Sequence, residues 1–349
     1  MLLISKKKLI YPVSKSLRKY LQNYDRETRL PVQYKDLIHY TESFPYFDKN
    51  GVDTLWQTVM YEQSRHQELN DGLTMTYALL KTDGDISVME HLHVSRIDYC
   101  TFGNTHPFRI QIQNRLNDNY DYFYVKRADA SRVYGLELEH ILSPSRINYL
   151  VNEETLIEEH IAGIPGDVFI KEYLERPNCN KVRIAKEFVK FNERCFIRLL
   201  GDMRSYNYVV DVTPDFEDEQ YRVRSIDFDQ QSYEGKKIMY LPQFFKENNK
   251  VVELVTKLLK PQAIQQYQSE ERTSLFHRLR SARYRLKDLV DIMRSDTIST
   301  PEKIAQLARE LAEHHKAPDF LKCTGMGDIV RLHLKTILSR EPRIRQPKL

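Results

Sequence analysis

Leu199-Leu200-Gly201-Asp202-Met203-Arg204-Ser205-Tyr206-Asn207-Tyr208-Val209-Val210-Asp211-Val212, followed shortly by Val223-Arg224-Ser225-Ile226-Asp227-Phe228-Asp229, is the stretch whose reading decides the fold. Asp202 and Asn207 lie five residues apart in a segment with loop character, and an apolar run follows. A second apolar run ends in an acidic cluster. β-Branched and aromatic runs bounded by turn residues read as strands, so two short strands carry Asp202, Asn207 and Asp227 toward one place. Carboxylate and amide oxygens meeting at strand ends make a hard-oxygen site suited to Mg²⁺ and a triphosphate.

Working upstream, Lys181 to Cys195 reads as a helix, and Ala162-Gly163-Ile164-Pro165-Gly166 before it breaks regular structure as a hinge. Ile147-Asn148-Tyr149-Leu150-Val151 and Thr155-Leu156-Ile157-Glu158-Glu159-His160-Ile161 read as a hairpin. Ala130 to Leu142 reads as a helix with Tyr134, Leu138, Ile141 and Leu142 on one face and Glu137 at its edge, stopped by Pro144. Three runs precede it: Ile97–Phe102, Phe108–Ile112 and Tyr122–Val125. Segments rich in turn formers separate them, which predicts an antiparallel meander whose third strand ends in Lys126. Before that the chain reads as mostly helical, with Leu55 to Leu80 a long helix closed by a turn at Asp83-Gly84-Asp85. Glu90-His91-Leu92-His93 sets two histidines on one strand face with no third ligand nearby.

Downstream of Asp229 the chain passes Gly235 and Pro242 and is almost wholly helical from Val251 onward. Ser299-Thr300-Pro301-Glu302 carries a hydroxyl cap, an early proline and a glutamate at the capping-box position. Gly325-Met326-Gly327 reads as a turn, and His314-His315 as the solvent face of a charged helix.

Composition fits a chain of this kind. Its 349 residues exceed one typical domain, and 41% hydrophobic with 29% charged residues allow a buried core. A net charge of +4 does not call for a nucleic-acid partner, and the basic runs at Lys6-Lys7-Lys8 and Arg343-Ile344-Arg345 read as solvated ends. The four cysteines form no CxxC pair, as in a reducing compartment. With no long apolar run and no apolar core at the N-terminus, the expectation is a cytoplasmic protein without a membrane span.

The order is thus three strands ending in Lys, a helix with Glu, two strands, a hinge, a helix, Asp-x-x-x-x-Asn, and a strand pair ending in Asp. This resembles the protein-kinase-like superfamily, closest to its small-molecule branch of aminoglycoside phosphotransferases, choline kinases and lipopolysaccharide-core kinases. The resemblance covers about Tyr99 to Tyr240. It rests on Gly201–Asn207, on Ile226-Asp227-Phe228-Asp229 and on the hinge-like Glu158–Gly166. It implies an α+β fold of two lobes: a small antiparallel sheet lobe over residues 95–162 and a mainly helical lobe over 163–349. Residues 1–94 then form a helical N-terminal extension, and helices extend the C-terminus.

The resemblance also implies roles. Asp202 matches the catalytic-loop aspartate that accepts the acceptor hydroxyl's proton, and Asn207 the asparagine that holds magnesium. Asp227 matches the metal-binding aspartate, while Asp229 either binds a second Mg²⁺ or caps the following turn. Lys126 matches the strand lysine on the α- and β-phosphates, oriented by Glu137 or Glu139. Gly103 is the one glycine of the phosphate-covering turn, and Glu159 and Ile161 are the nucleotide-side residues of the hinge. Three departures stand out: the phosphate-covering turn has Gly103 alone where the family's loop is glycine-rich, Leu200 replaces the histidine that many relatives carry, and Asp229 replaces the glycine of protein kinases. The expected activity is ATP- and Mg²⁺-dependent phosphoryl transfer to a hydroxyl of a small molecule or sugar. The alternative is a pseudokinase that binds nucleotide or a protein partner, with the helical extensions as a partner surface. No G-x-x-x-x-G-K-[ST], G-x-G-x-x-G or G-x-S-x-G is present, which sets aside P-loop, dinucleotide-binding and α/β-hydrolase folds.

Overall fold

The structure, a computed structural model, describes residues 8–48, 50–82, 86–102, 105–215 and 218–339. The chain forms two compact units, one of residues 1–129 with 147–160 and the other of 130–146 with 161–349. Asp83-Gly84-Asp85, Gly103 and the terminal Lys6, Lys7, Arg343 and Arg345 lie outside the described residues.

The first unit is built on an antiparallel sheet of seven strands in the order β1-β2-β3-β4-β5-β7-β6. These are β1 (Glu42–Phe47), β2 (Asp53–Met60), β3 (Leu92–Cys100), β4 (Phe108–Asn114), β5 (Tyr120–Arg127), β6 (Tyr149–Asn152) and β7 (Thr155–Glu159). Its helices are α1 (Lys15–Asn23), α2 (Tyr34–Leu37) and α3 (Gln63–Thr82). The predicted meander and hairpin are β3–β4–β5 and β6–β7. Successive strand residues point to opposite faces, so Phe108, Ile110 and Ile112 of β4 and Phe123 and Val125 of β5 fall on one side. There they join Leu37 of α2 and Leu69, Leu73 and Leu80 of α3 in one buried cluster.

Two expectations change in this unit. Leu55 to Leu80 is not a single helix: Leu55–Met60 belongs to β2, and the helix begins at Gln63. β1 and β2 extend the sheet that holds β3–β7, so the region before residue 95 is part of the sheet unit. The strand Glu42-Ser43-Phe44-Pro45-Tyr46-Phe47 carries a proline that cannot donate to a ladder. It is accommodated because β1 is the edge strand. His91 ends a 3₁₀ turn, and only His93 lies in β3.

The second unit is mainly helical. It contains α4 (Ala130–Leu142), the two-residue strand β8 (Ile164–Pro165), the single turn α5 (Gly166–Val168), α6 (Lys181–Arg198), and the strands β9 (Tyr208–Asp215) and β10 (Asp218–Ser225). Helices α7 (Asn249–Leu258), α8 (Pro261–Ser281), α9 (Arg283–Ser295), α10 (Pro301–His315) and α11 (Met326–Ser339) follow. β9 and β10 pair in register from Tyr208–Ser225 to Asp215–Asp218, and β8 adds to β9 as a third strand. The hinge-like segment therefore contributes a strand to the hairpin that carries the opening motif.

Three smaller readings are corrected here. Thr300, not Ser299, caps α10 by accepting from the Lys303 amide, which moves Glu302 off the capping-box position. Met326 and Gly327 open α11 rather than a free turn. His315 is buried, with Nε2 3.0 Å from Nδ1 of His333, whose own Nε2 donates to the Phe196 carbonyl at 2.9 Å. Only His314 of that pair faces solvent.

Candidate functional site

The site grows out of the end of α6. Asn180 caps its start by accepting from the Arg183 amide, and Leu199 ends it in the left-handed conformation at φ +53°. Leu200 then bridges to Gln231, and Gly201 N–H donates to the Gln230 carbonyl at 3.2 Å. Asp202 also takes a positive φ, +59°, a conformation that costs a residue with a Cβ and that its surroundings must hold. What holds it is backbone bonding: Asp202 N–H donates to the Met239 carbonyl at 2.9 Å, and Arg204 N–H to the Asp202 carbonyl at 2.8 Å. The Asn207 side-chain amide adds a third bond, donating to that same carbonyl at 2.7 Å.

A hairpin returns to where it started, and this one brings the two motifs together. Asn207 immediately precedes β9, Ile226 follows β10, and Ile226 N–H donates to the Asn207 carbonyl at 3.0 Å. Asp227 therefore stands beside the Asp202–Asn207 loop. Gly166 closes the arrangement from beneath: a Cβ there would come within 2.2 Å of the Tyr208 ring and 2.4 Å of the Ser205 carbonyl. Only glycine allows so close a backbone approach. Asn248 ties the loop down further, donating to the Met203 carbonyl at 3.0 Å and accepting from the Tyr208 hydroxyl at 2.9 Å.

The Asp202 carboxylate is buried and accepts from Arg204 Nε at 2.8 Å. Burial raises its pKa from 3.8 to about 6, Arg204 opposes the rise, and the nearby Asp227 and Glu234 carboxylates add to it. A carboxylate tuned toward neutrality can accept a proton during catalysis. Arg204 is itself shared with Glu247 at 3.0 Å and lies over the Phe245 ring at 5.1 Å, so its guanidinium is fixed in place.

Asp227 and Asp229 meet a cation from the chain. Nη1 of Arg132, on α4, lies 2.7 Å from Oδ1 of each. The Asp229 N–H also donates to Asp227 Oδ1 at 3.1 Å, which fixes the relation between the two carboxylates. Among the described residues no group of three or more His, Cys, Asp or Glu side chains is arranged to hold a metal ion. Arg132 engages both carboxylates at the same distance; Asn207 and Asp227 carry the kind of hard oxygen a divalent cation takes, and Asp227 is the more exposed of the two aspartates.

The other predicted ionisable residues each have a partner within their own unit. In the sheet unit, Lys126 Nζ donates to Glu158 Oε2 at 2.7 Å and lies 5.2 Å from the Tyr124 ring. The Glu159 amide donates to the Asn148 carbonyl, and its Oε1 accepts from Asn148 N–H at 2.7 Å. In the helical unit, Glu137 takes a forked pair of bonds from Arg285, with Nη2 at 2.8 Å from Oε1 and Nε at 3.0 Å from Oε2. Glu139 pairs with Arg198, and Ile161 is buried. Sequence reasoning overlooked Glu158, Arg132, Arg204, Arg198 and Arg285. Arg204 stood in the quoted loop, two residues after Asp202. For Arg132 no local pattern signals a partner about a hundred residues away.

No family model and no curated protein matches this sequence. Among the described residues no helix is long and apolar enough to cross a membrane.

Proposed function

We propose that this chain is an ATP- and Mg²⁺-dependent phosphotransferase of kinase-like build that acts on a hydroxyl of a small molecule or sugar. The observation that carries the reading is the β9–β10 hairpin, which joins Asn207 to Ile226 at 3.0 Å and so sets Asp227 beside the buried Asp202. In this reading the acceptor hydroxyl donates a hydrogen bond to the Asp202 carboxylate. As its oxygen bonds to the γ-phosphorus and the bond to ADP breaks, its proton passes to Asp202. A carboxylate with a pKa near 6 accepts that proton more readily than an ordinary aspartate. The left-handed backbone at Asp202 and the amide bond from Asn207 keep the carboxylate's origin fixed.

Asn207 and Asp227 are the residues that would hold the metal, which when bound neutralises charge on the transferring phosphoryl group. The small-molecule acceptor is favoured by the Asp227-Phe228-Asp229 form and by the lack of an Ala-Pro-Glu segment after it. The test is a thermal melt with and without ATP and Mg²⁺. Wild type should be stabilised, Asp227→Ala should lose the shift, and Asp202→Ala should keep it while losing transfer across a panel of hydroxyl acceptors. No shift in wild type at millimolar ATP refutes the reading.

Arg132 favours a second reading. Its guanidinium supplies a positive charge at 2.7 Å from both Asp227 and Asp229, the charge a metal would otherwise bring. A pseudokinase that binds nucleotide or a protein partner without transferring phosphate is consistent with that. Nucleotide binding without turnover on any acceptor separates it from the first reading.

A further inference from the structure

We infer that Arg132 is a built-in competitor for the cation at Asp227, so that a divalent ion enters only as Arg132 withdraws from Asp227 and settles on Asp229. The inference rests on Asp227 being the metal-side carboxylate of the proposed function.

The geometry is asymmetric in the way such a switch requires. Arg132 is fully buried, and its Nη1 reaches Asp227 Oδ1 and Asp229 Oδ1 at the same 2.7 Å. The two acceptors differ in surroundings: the Asp229 side chain is 10% exposed and the Asp227 side chain 32%. Asp229 is thus the interior partner and Asp227 the one an ion can approach from water. Nη2 of Arg132 lies 3.4 Å from the Ile226 carbonyl, which keeps the guanidinium next to the strand end when one carboxylate turns away.

Charge sets the competition. One guanidinium and two carboxylates sum to a net charge of −1, so an added cation is attracted. A divalent ion on Asp227 would nonetheless stand close to the fixed positive charge of Arg132, and in a buried setting that repulsion is weakly screened. Each cation therefore weakens the other's hold on Asp227. A guanidinium cannot relieve the conflict by losing its proton, because arginine stays charged in proteins. It can only move, and Asp229 offers the place.

The test uses Mn²⁺ alone on the full chain, counted by the electron paramagnetic resonance signal of the free ion. Arg132→Gln removes the charge, and Arg132→Lys keeps a charge but loses the planar fork that spans both carboxylates. Residues beside metal ligands tune metal affinity by about tenfold to a hundredfold, so Arg132→Gln should bind Mn²⁺ about tenfold tighter than wild type, with Arg132→Lys in between. Equal or weaker binding by both variants overturns the inference. So does a failure of both to fold, because Arg132 would then be a structural counter-ion. If wild type binds no Mn²⁺ and Arg132→Gln gains it, the competitor role stands while the phosphotransferase reading falls. If wild type turns over ATP and the variants bind Mn²⁺ no tighter, the reading stands and the competitor role falls.

Discussion

Asp202→Asn should stabilise the protein at alkaline pH and not at acid pH, while removing transfer. Burial holds the Asp202 carboxyl at a pKa of about 6 against an ordinary 3.8. Between those values the folded chain keeps a proton that the unfolded chain has released. Folding stability from this group is therefore fully present below about pH 4 and is lost as pH rises through about 6. A gap of roughly two pKa units corresponds to roughly 3 kcal/mol at pH 8, at about 1.4 kcal/mol per unit. Asparagine carries no charge and escapes that loss.

The replacement has its own cost. Arg204 Nε donates to Asp202 Oδ1 at 2.8 Å and can donate equally to an amide oxygen. The new amide nitrogen, however, faces the Asn207 side-chain nitrogen, which lies 3.5 Å from Asp202 Oδ2. Two donors set against each other take back about 1 kcal/mol, which leaves a net gain of about 1–2 kcal/mol at pH 8. Urea unfolding of wild type and variant from about pH 4 to about pH 8.5 measures the difference, and groups unchanged between the two cancel. The expected signature is a stability gap that widens as pH rises from about 4 to about 6 and is level above that, together with a loss of transfer of about 10²-fold or more. A gap independent of pH, or a variant less stable at pH 8 than at pH 5 relative to wild type, refutes the claim that Asp202 is held near neutrality by burial.

Further expectations follow from the same packing. Burial holds His333 down to about 3, so the unfolded chain takes up a proton that the folded chain refuses as pH falls below its ordinary 6.5. Between pH 7 and pH 5 this should cost wild type about 2 kcal/mol, a slope that His333→Asn should flatten in urea titrations. Gly166→Ala would press a methyl against Tyr208 and the Ser205 carbonyl and should destabilise by about 1–3 kcal/mol in calorimetry, with transfer lost alongside. Glu137→Ala removes the forked bonds from Arg285 in the interior and should cost about 3 kcal/mol. Adding Arg285→Met should restore part of it, and additive losses in that cycle would show the pair to be uncoupled. Lys126→Met should destabilise the sheet unit by removing the buried ion pair with Glu158, and Glu158→Gln on that background should recover stability.

Much of the sheet was legible because its strands alternate. Phe108, Ile110 and Ile112, with Arg109 and Gln111 between them, admit one register, and the turn residues on either side mark the ends. β1 and β2 were not legible for definite reasons. Pro45 lowers any strand reading until one knows that β1 lies at the edge, and Leu55-Trp56-Gln57-Thr58-Val59-Met60 runs on without a strong breaker toward the helix that begins at Gln63. That the Asp202–Asn207 loop and Asp227 come near one another was readable from the two-strand pattern, since a hairpin that pairs Tyr208 with Ser225 must place their neighbours side by side; the roles given to these residues came from the resemblance. The ion-pair partners were not readable. Arg132, Arg198 and Arg285 find their carboxylates through tertiary packing, and sequence separation carries no sign of it. His315 misled for a similar reason: on a helix with charged neighbours it reads as surface, and α11, which supplies His333, had no visible tie to it.

Helix α4 links the site to the rest of its unit. Ser131 donates to the Gln231 carbonyl at 2.8 Å, Arg132 holds Asp227 and Asp229, Tyr134 donates to Asp296 at 2.7 Å, Glu137 accepts from Arg285, and Glu139 forms an ion pair with Arg198. A helix secured at so many buried side chains moves with what it is tied to, because each bond broken in the interior leaves a group that water cannot reach. The resemblance implied Glu137 or Glu139 as the orienting group for a lysine, yet each also has an arginine from a helix of its own unit. Arg132 sits one and a half turns before Glu137 on the same helix. Any shift of α4 large enough to part Glu137 from Arg285 must therefore draw Arg132 along Asp227 and Asp229, and the charge felt by the Asp227 carboxylate changes with it. In the proposed reading, the position of α4 and the readiness of Asp227 for a cation are thus coupled through Arg132.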